Sequence, residues 1–151
     1  YNYDVIDGVT YQIDVTKAAR YNKAGEVVNG DSHRIINLAF DGKPVTADQQ
    51  FIVATNNYRA AGGGNFPGLD GSTIIVEAPD ENRTVLGNYI LSEKEIDPKA
   101  DGNWTFASIG DASNVSFVTS PKASGAANAP NNISFVGEDQ DGFAKYVLQS
   151  E

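Results

Sequence analysis

The sequence predicts an α+β domain, a mixed sheet with one or two packed helices. Three observations carry that expectation. Short runs rich in β-branched and aromatic residues recur through the first half of the chain, bounded by Gly, Pro, Asn or Asp. One later stretch has apolar residues at helical spacing, and strand-like runs then return toward the C-terminus.

Taken in order, residues 9–15 and 34–40 read as the first strands, and Tyr1-Asn2-Tyr3-Asp4-Val5 already has strand character. A further strand is expected at 50–54, where Phe51-Ile52-Val53-Ala54 is continuously apolar as in a buried strand. Another is expected at 72–77, ending at Ala78-Pro79. A helix should then open near Asp80, a good N-cap, with Glu81 in its first turn. Val85, Leu86, Tyr89 and Ile90 give that helix one apolar face, and Asp97-Pro98 marks chain beyond its end. Trp104-Thr105-Phe106 and residues 116–119 follow as strands, separated by Gly110-Asp111. Residues 120–132 are Pro, Ala, Gly, Ser and Asn with little that is large, a flexible loop. Residues 142–148 close the chain as a strand, and there are no internal repeats.

A chain of 151 residues with 40% hydrophobic content suffices for one domain with a real core, so 1–151 is read as a single domain. Eleven Lys plus Arg against twenty Asp plus Glu leave a net charge of −9, which repels a polyanion, so DNA and RNA polymers are poor partners. No stretch has the apolar length of a membrane-spanning helix. The absence of cysteine excludes disulfides and thiol chemistry and is compatible with export. The chain opens on Tyr1 rather than Met, as an interior or processed piece would. Sequons at Asn82, Asn103, Asn114 and Asn132 read as chance.

The most informative stretch is FIVATNNYRAAGGGNFPG, residues 51–68. Its apolar run breaks into Asn56-Asn57-Tyr58-Arg59, and Gly62-Gly63-Gly64 follow two alanines later. Three consecutive glycines pack nothing themselves; they supply backbone that adopts positive φ and leaves room for a ligand or another segment. An aromatic ring beside such a loop, with amides at hand, is one way to hold a flat polar ring. A surface loop with an exposed tyrosine is the alternative. Arg59 suits phosphate or ligand acceptors, or an acidic neighbour that fixes the loop, with the balance toward the structural role. Asn56 and Asn57 could cap the loop's backbone or read a base edge. The glycines fit neither common phosphate motif. Gly63 and Gly68 have P-loop spacing, but Leu69-Asp70 stands where Lys-Ser/Thr is required. Pro67 occupies the last glycine position of a dinucleotide fingerprint.

Elsewhere the chemistry-bearing residues read as structural. His33 is the only histidine, so the chain cannot assemble the several His and Asp ligands of a two-metal site. Glu138-Asp139-Gln140-Asp141-Gly142 resembles part of a calcium loop, but with Gly142 as the turn glycine, Gly137 and Leu148 fall at required ligand positions. A solvated turn is expected there. Trp104 and the tyrosines at 1, 3, 11, 21, 89 and 146 are expected to pack in the core or against cross-strand neighbours. Nothing resembles a nucleophile elbow.

ATNNYRAAGGGNFPG resembles the signature loop of the C-terminal domain of the 5′-nucleotidase family, and most closely its 2′,3′-cyclic-nucleotide 2′-phosphodiesterase/3′-nucleotidase branch. Other segments are similar in the same order: Ile6-Asp7-Gly8-Val9-Thr10-Tyr11, Ser32-His33-Arg34-Ile35-Ile36-Asn37-Leu38 with Asp41-Gly42-Lys43-Pro44-Val45 as a hairpin, Pro79-Asp80-Glu81-Asn82-Arg83, and Gly142-Phe143-Ala144-Lys145-Tyr146. The resemblance implies an N-terminally truncated piece of an exported bacterial phosphoesterase, in the periplasm, the cell wall or the medium. An N-terminal metallophosphoesterase domain of the same polypeptide would hold two divalent metal ions and do the chemistry, so no catalytic or metal residue is expected here. The C-terminal domain would sandwich the nucleobase between two aromatic rings. Tyr58 falls on one of those positions and the second ring lies upstream. Asn56, Asn57, Tyr58, Arg59, Gly62, Gly63, Gly64 and Gly8 are the substrate-binding candidates on this resemblance. Gly64 stands where some members carry a ribose-holding acid. The alternatives are 5′-nucleotidase or nucleotide-sugar specificity, or a non-catalytic extracellular binding module on the same fold.

Overall fold

The computed structural model describes residues 4–110, 115–125 and 132–149. Two sheets form. The first has the order β3-β2-β1-β4, from Thr10–Ile13 (β1), Ile35–Phe40 (β2), Lys43–Pro44 (β3) and Trp104–Phe106 (β4). β1 runs antiparallel to β2 and parallel to β4, pairing Tyr11 with Trp104 and Ile13 with Phe106. The sheet is therefore mixed, and with two helices the molecule is α+β as expected. Asp41 and Gly42, both at positive φ (49° and 72°), turn β2 into β3, the backbone that an Asp-Gly hairpin turn requires. Asn37, at φ 55°, sits where the β1–β2 register shifts, and its amide donates to the Gln12 side-chain oxygen at 2.6 Å.

The second sheet is antiparallel with the order β5-β7-β6, built from Val115–Thr119 (β5), Ile133–Glu138 (β6) and Ala144–Leu148 (β7), so the last strand lies between the two before it. β7 is central and buries Ala144, Tyr146 and Leu148 on one face. The Tyr146 ring stacks on Phe117 (centroids 5.5 Å apart) and meets Phe135 edge-on (5.5 Å), its cross-strand partners on either side. β6 was not expected. Its Ile133-Ser134-Phe135-Val136 run sits between the polar loop and the acidic stretch, and Glu138 belongs to the strand. Only the rest of that acidic stretch is the turn, as Asp139 Oδ1 accepts from the Asp141 and Phe143 N–H groups at 2.9 and 2.8 Å.

Three expectations need correction. Residues 50–54 and 72–77 form no strand: they contain the right residues, but no described neighbour offers a ladder. The second helix, α2 (Asn82–Glu93), is capped by the extended Glu81 rather than Asp80, and no side chain closes its first turn. The helical backbone starts one residue further past Pro79 than expected. None of α2's residues is buried, and Val85, Leu86, Tyr89 and Ile90 stay exposed, because nothing among the described residues covers them. The helix does end before Asp97-Pro98, at Lys94. Of the aromatics expected inside, Tyr11 and Tyr146 are buried and Trp104 is half-buried against Phe106, whereas Tyr21 and Tyr89 are exposed. Tyr1, Tyr3 and the sequon at Asn114 lie outside the described residues, as does part of the loop at 120–132, where Pro121–Gly125 forms a 3-10 turn.

Candidate functional site

The continuously apolar run at 51–54 ends at a single helical turn, α1 (Asn57–Ala60). Asn56 is its N-cap, extended at φ −83° and ψ 160°, with its side-chain oxygen accepting from the Arg59 N–H at 2.8 Å. The turn cannot continue into the glycines. Instead the Gly62 N–H donates to the Arg59 carbonyl (3.0 Å) and the Gly63 N–H to the Tyr58 carbonyl (2.7 Å), folding the loop back on the turn.

That fold-back explains two of the glycines. A Cβ on Gly63 would stand 2.5 Å from the Tyr58 carbonyl oxygen and 2.6 Å from both Cδ1 and Cδ2 of its ring. The Gly63 backbone therefore closes one face of the tyrosine. A Cβ on Gly62, which sits at φ +95°, would stand 2.8 Å from the Leu69 carbonyl oxygen. Gly64 follows at φ 82° and Asn65 at φ 58°. With one face of the ring on backbone, the Tyr58 side of the loop still leaves the residue 63% exposed. A ring braced by backbone and still mostly exposed offers the surface that stacking requires.

Arg59 is the reverse case. It is only 8% exposed, and its Nε and Nη2 donate to Asp4 at 2.5 and 2.9 Å in a two-point ion pair. Nη1 donates to the Gly63 carbonyl at 3.0 Å, and the guanidinium lies 4.4 Å from the Phe66 ring centroid and 5.5 Å from that of Tyr58. The hydrogen bonds to Asp4 raise the Arg59 pKa above its ordinary value. Arg59 is thus committed to holding the loop. Asp4, 55 positions away, and Phe66 were not singled out as its partners; only the acidic-neighbour reading of Arg59 pointed that way.

A second turn braces the loop. Asn65 donates from its amide to the Lys23 carbonyl at 3.1 Å, and Gly25, at φ +81°, presses against the Asn65 backbone where a Cβ would stand 2.5 Å from its oxygen. Between residues 21–23 and 64–67 lies an open depression of about 670 Å³ whose lining includes Gly64 but not Tyr58. Gly8, another candidate, occupies a different turn: it is exposed at φ +81°, with its N–H on Asp7 Oδ1 at 2.7 Å. Asn103 ties that turn down, donating to the Ile6 and Val9 carbonyls. The structure therefore gathers Asn56, Asn57, Tyr58, Arg59, Gly62, Gly63 and Gly64 into one loop and leaves Gly8 in its own. His33 is exposed just ahead of β2, and among the described residues no three His, Asp or Glu side chains gather as a metal site would require.

Residues 1–71 match the family model of the 5′-nucleotidase C-terminal domain. Over nearly its whole length the chain is also similar to phosphoesterases. Residues 1–71 thus belong to the 5′-nucleotidase C-terminal domain family. It is 49% identical over 150 residues to the trifunctional nucleotide phosphoesterase protein YfkN of Bacillus subtilis, covering 99% of this chain and 10% of that protein. It is 45% and 47% identical over 158 residues to the 2′,3′-cyclic-nucleotide 2′-phosphodiesterase/3′-nucleotidases of Haemophilus influenzae and Salmonella typhimurium, in each case covering 98% of this chain and 24% of the relative. No solved structure matches the chain. The chain thus spans a quarter or less of these relatives' own length. The match at 1–71 contains the whole Tyr58–glycine loop together with Asp4, the residue that anchors it.

Proposed function

We propose that this chain is the nucleobase-recognition part of a metallophosphoesterase that hydrolyses 2′,3′-cyclic nucleotides and 3′-nucleotides. The observation that carries the reading is the Tyr58 ring, braced by the Gly63 backbone while the residue stays 63% exposed. A base laid on the exposed ring gains stacking energy whatever its identity, which suits an enzyme that scavenges several nucleotides. Asn57, exposed at the start of α1, is placed to hydrogen-bond a base edge, whereas the Asn56 oxygen is already engaged as a cap. Gly62, Gly63 and Gly64 keep side chains away from the bound ring. Arg59 positions the platform and does not meet the phosphate.

In this reading residues 1–151 act as one C-terminal recognition domain, and a metallophosphoesterase domain of the same polypeptide is its partner. Among the described residues no donors gather as a catalytic metal pair requires, and no bond-breaking step is assigned to this chain. Two divalent ions in the partner domain would activate water and stabilise charge on the phosphoryl oxygens. The contribution of Tyr58 is orientation: binding energy from the base helps the reaction only as far as it holds the phosphate in line. The parent enzyme would work outside the cytoplasm, feeding on extracellular nucleotides.

The division of labour is tested by incubating the purified 151-residue chain with Mn²⁺, Co²⁺ or Zn²⁺ and 2′,3′-cyclic AMP, measuring phosphate with and without an added 3′-phosphatase. No turnover is expected. Activity that copurifies with the chain and disappears in His33→Ala would overturn the assignment of chemistry to another domain.

A further inference from the structure

The loop that carries Tyr58 draws little support from its own secondary structure. α1 is a single turn, too short to keep its shape alone, and the run at 51–54 that leads into it joins none of the described strands. What holds the loop comes from distant parts of the sequence. The bond from Asn65 to the Lys23 carbonyl is exposed and lies beyond Gly64. The pair between Arg59 and Asp4 is different. It is charged, it is made at two points, and it holds the residue next to Tyr58, itself only 8% exposed.

The guanidinium passes that anchor on. Its Nη1 donates to the Gly63 carbonyl, and Gly63 is the residue whose backbone lies against the Tyr58 carbonyl and ring. It also stands 5.5 Å from the Tyr58 ring centroid and 4.4 Å from that of Phe66, within reach of both π-systems. One carboxylate therefore fixes, through one side chain, the ring and the backbone that braces it.

We propose that Asp4 is a positioning residue for nucleobase binding: its carboxylate holds Arg59, and through Arg59 it sets where the Tyr58 ring meets the base. Asp4 itself touches no substrate. The inference rests on the base-stacking reading and adds to it a determinant of KM outside the loop, 55 positions before Arg59. Removing the carboxylate takes a two-point charged bond from a buried guanidinium, so Arg59 shifts and its bond to Gly63 goes with it. The Asp4 side chain is 42% exposed, so it can be replaced without opening the core.

The test is a double-mutant cycle in the full-length enzyme, with KM and kcat measured on 2′,3′-cyclic AMP. Asp4→Asn keeps the shape and removes the charge. It should raise KM roughly 3- to 30-fold, the range for residues that bias a site without touching its ligand, and leave kcat within about twofold of the unsubstituted enzyme. Asp4→Glu restores the carboxylate and should recover most of the loss. In a Tyr58→Ala background Asp4→Asn should add nothing, because no ring is left to place. An unchanged KM in Asp4→Asn overturns the proposal, as does a fall in kcat at unchanged KM. An equal rise in KM with and without Tyr58 overturns it too, since Asp4 would then only support the fold. Should Asp4→Asn fail to fold, Arg59→Lys decides. Lysine keeps the charge but cannot pair at two points with Asp4 and reach Gly63 at once. It should raise KM only where Tyr58 is present, and an unchanged KM overturns the proposal. The Tyr58→Ala enzyme tells which claim has failed. A raised KM there beside an unchanged KM in Asp4→Asn removes Asp4 and leaves base stacking standing, whereas an unchanged KM in Tyr58→Ala removes both.

Discussion

The strand β7 and the run at 51–54 are made of similar residues and end in opposite environments. In β7, Ala144, Tyr146 and Leu148 are buried on one face while Lys145 points to water, and β5 and β6 flank the strand within about thirty residues of sequence. At 51–54 the residues are at least as apolar, yet among the described residues the backbone joins no sheet and Ile52 stands in solvent. Local composition makes a strand possible; a neighbour that supplies the other half of the ladder makes it form. The second sheet carries its strands close together in sequence. The run at 51–54 does not, and the loop that carries Tyr58 hangs from it.

The largest expected effect separates the two regions. Tyr146→Ala, measured by urea unfolding of this chain, should cost about 3–5 kcal/mol as for other large core aromatics. Ile75→Ala in the same chain should stay within about 0.5 kcal/mol, since the side chain is exposed. Equal costs would break the comparison by showing that the 74–76 run is covered. Tyr146→Phe sharpens it: the buried hydroxyl has no hydrogen-bond partner among the described residues, so its removal should leave stability unchanged or raise it.

How far the sequence reveals this molecule follows the same division. Strands β1, β2, β4, β5 and β7 were legible because alternation, turn residues and partners agree. β6 was missed because its acidic end was read as part of the turn that follows it. The runs at 50–54 and 72–77 carry a strand signal in their residues, but none of the described strands pairs with them. At the candidate site, residue type and spacing singled out Tyr58 and the glycines. The reason for Gly63, a backbone closing one ring face, is a three-dimensional fact. So is the Arg59–Asp4 pair, whose members stand 55 residues apart.

Next in size is the loop. Gly63→Ala puts a methyl where the Tyr58 carbonyl oxygen and ring already are, and overpacking of this kind typically costs about 1–3 kcal/mol. Crystallography or tyrosine NMR shifts should show the Tyr58 ring displaced. Gly8→Ala meets open space and carries only the strain of its φ of +81°, roughly 1–2 kcal/mol. Unchanged nucleotide affinity in that variant would remove Gly8 from the site.

The smallest effect concerns acid. The Asp70 carboxylate accepts from the Ser72 hydroxyl and N–H, and both bonds favour the charged form, which lowers its pKa below the ordinary 3.8. Its folded value being depressed, its contribution is present above the unfolded pKa and is lost as pH falls through the folded value. Carboxyl NMR titration should place the Asp70 midpoint below 3.8, and Ser72→Ala should move it back up. A midpoint unmoved by Ser72→Ala would show that the hydroxyl does not hold the turn at the end of the glycine loop.

The central claim is that Tyr58 is a stacking platform, and the direct measurement is the KM of the full-length enzyme for 2′,3′-cyclic AMP across three variants. Tyr58→Ala should cost ~1–3 kcal/mol of base binding, a roughly five- to 150-fold rise in KM or an equal fall in kcat/KM. Tyr58→Phe and Tyr58→Trp should stay close to the unsubstituted enzyme, because stacking uses the ring face and not the hydroxyl. Bis-p-nitrophenyl phosphate, which has no nucleobase, should be hydrolysed by Tyr58→Ala nearly as well as by the unsubstituted enzyme, provided its aryl rings do not occupy the base pocket. Equal losses on both substrates, or an unchanged KM for the nucleotide, would contradict the account.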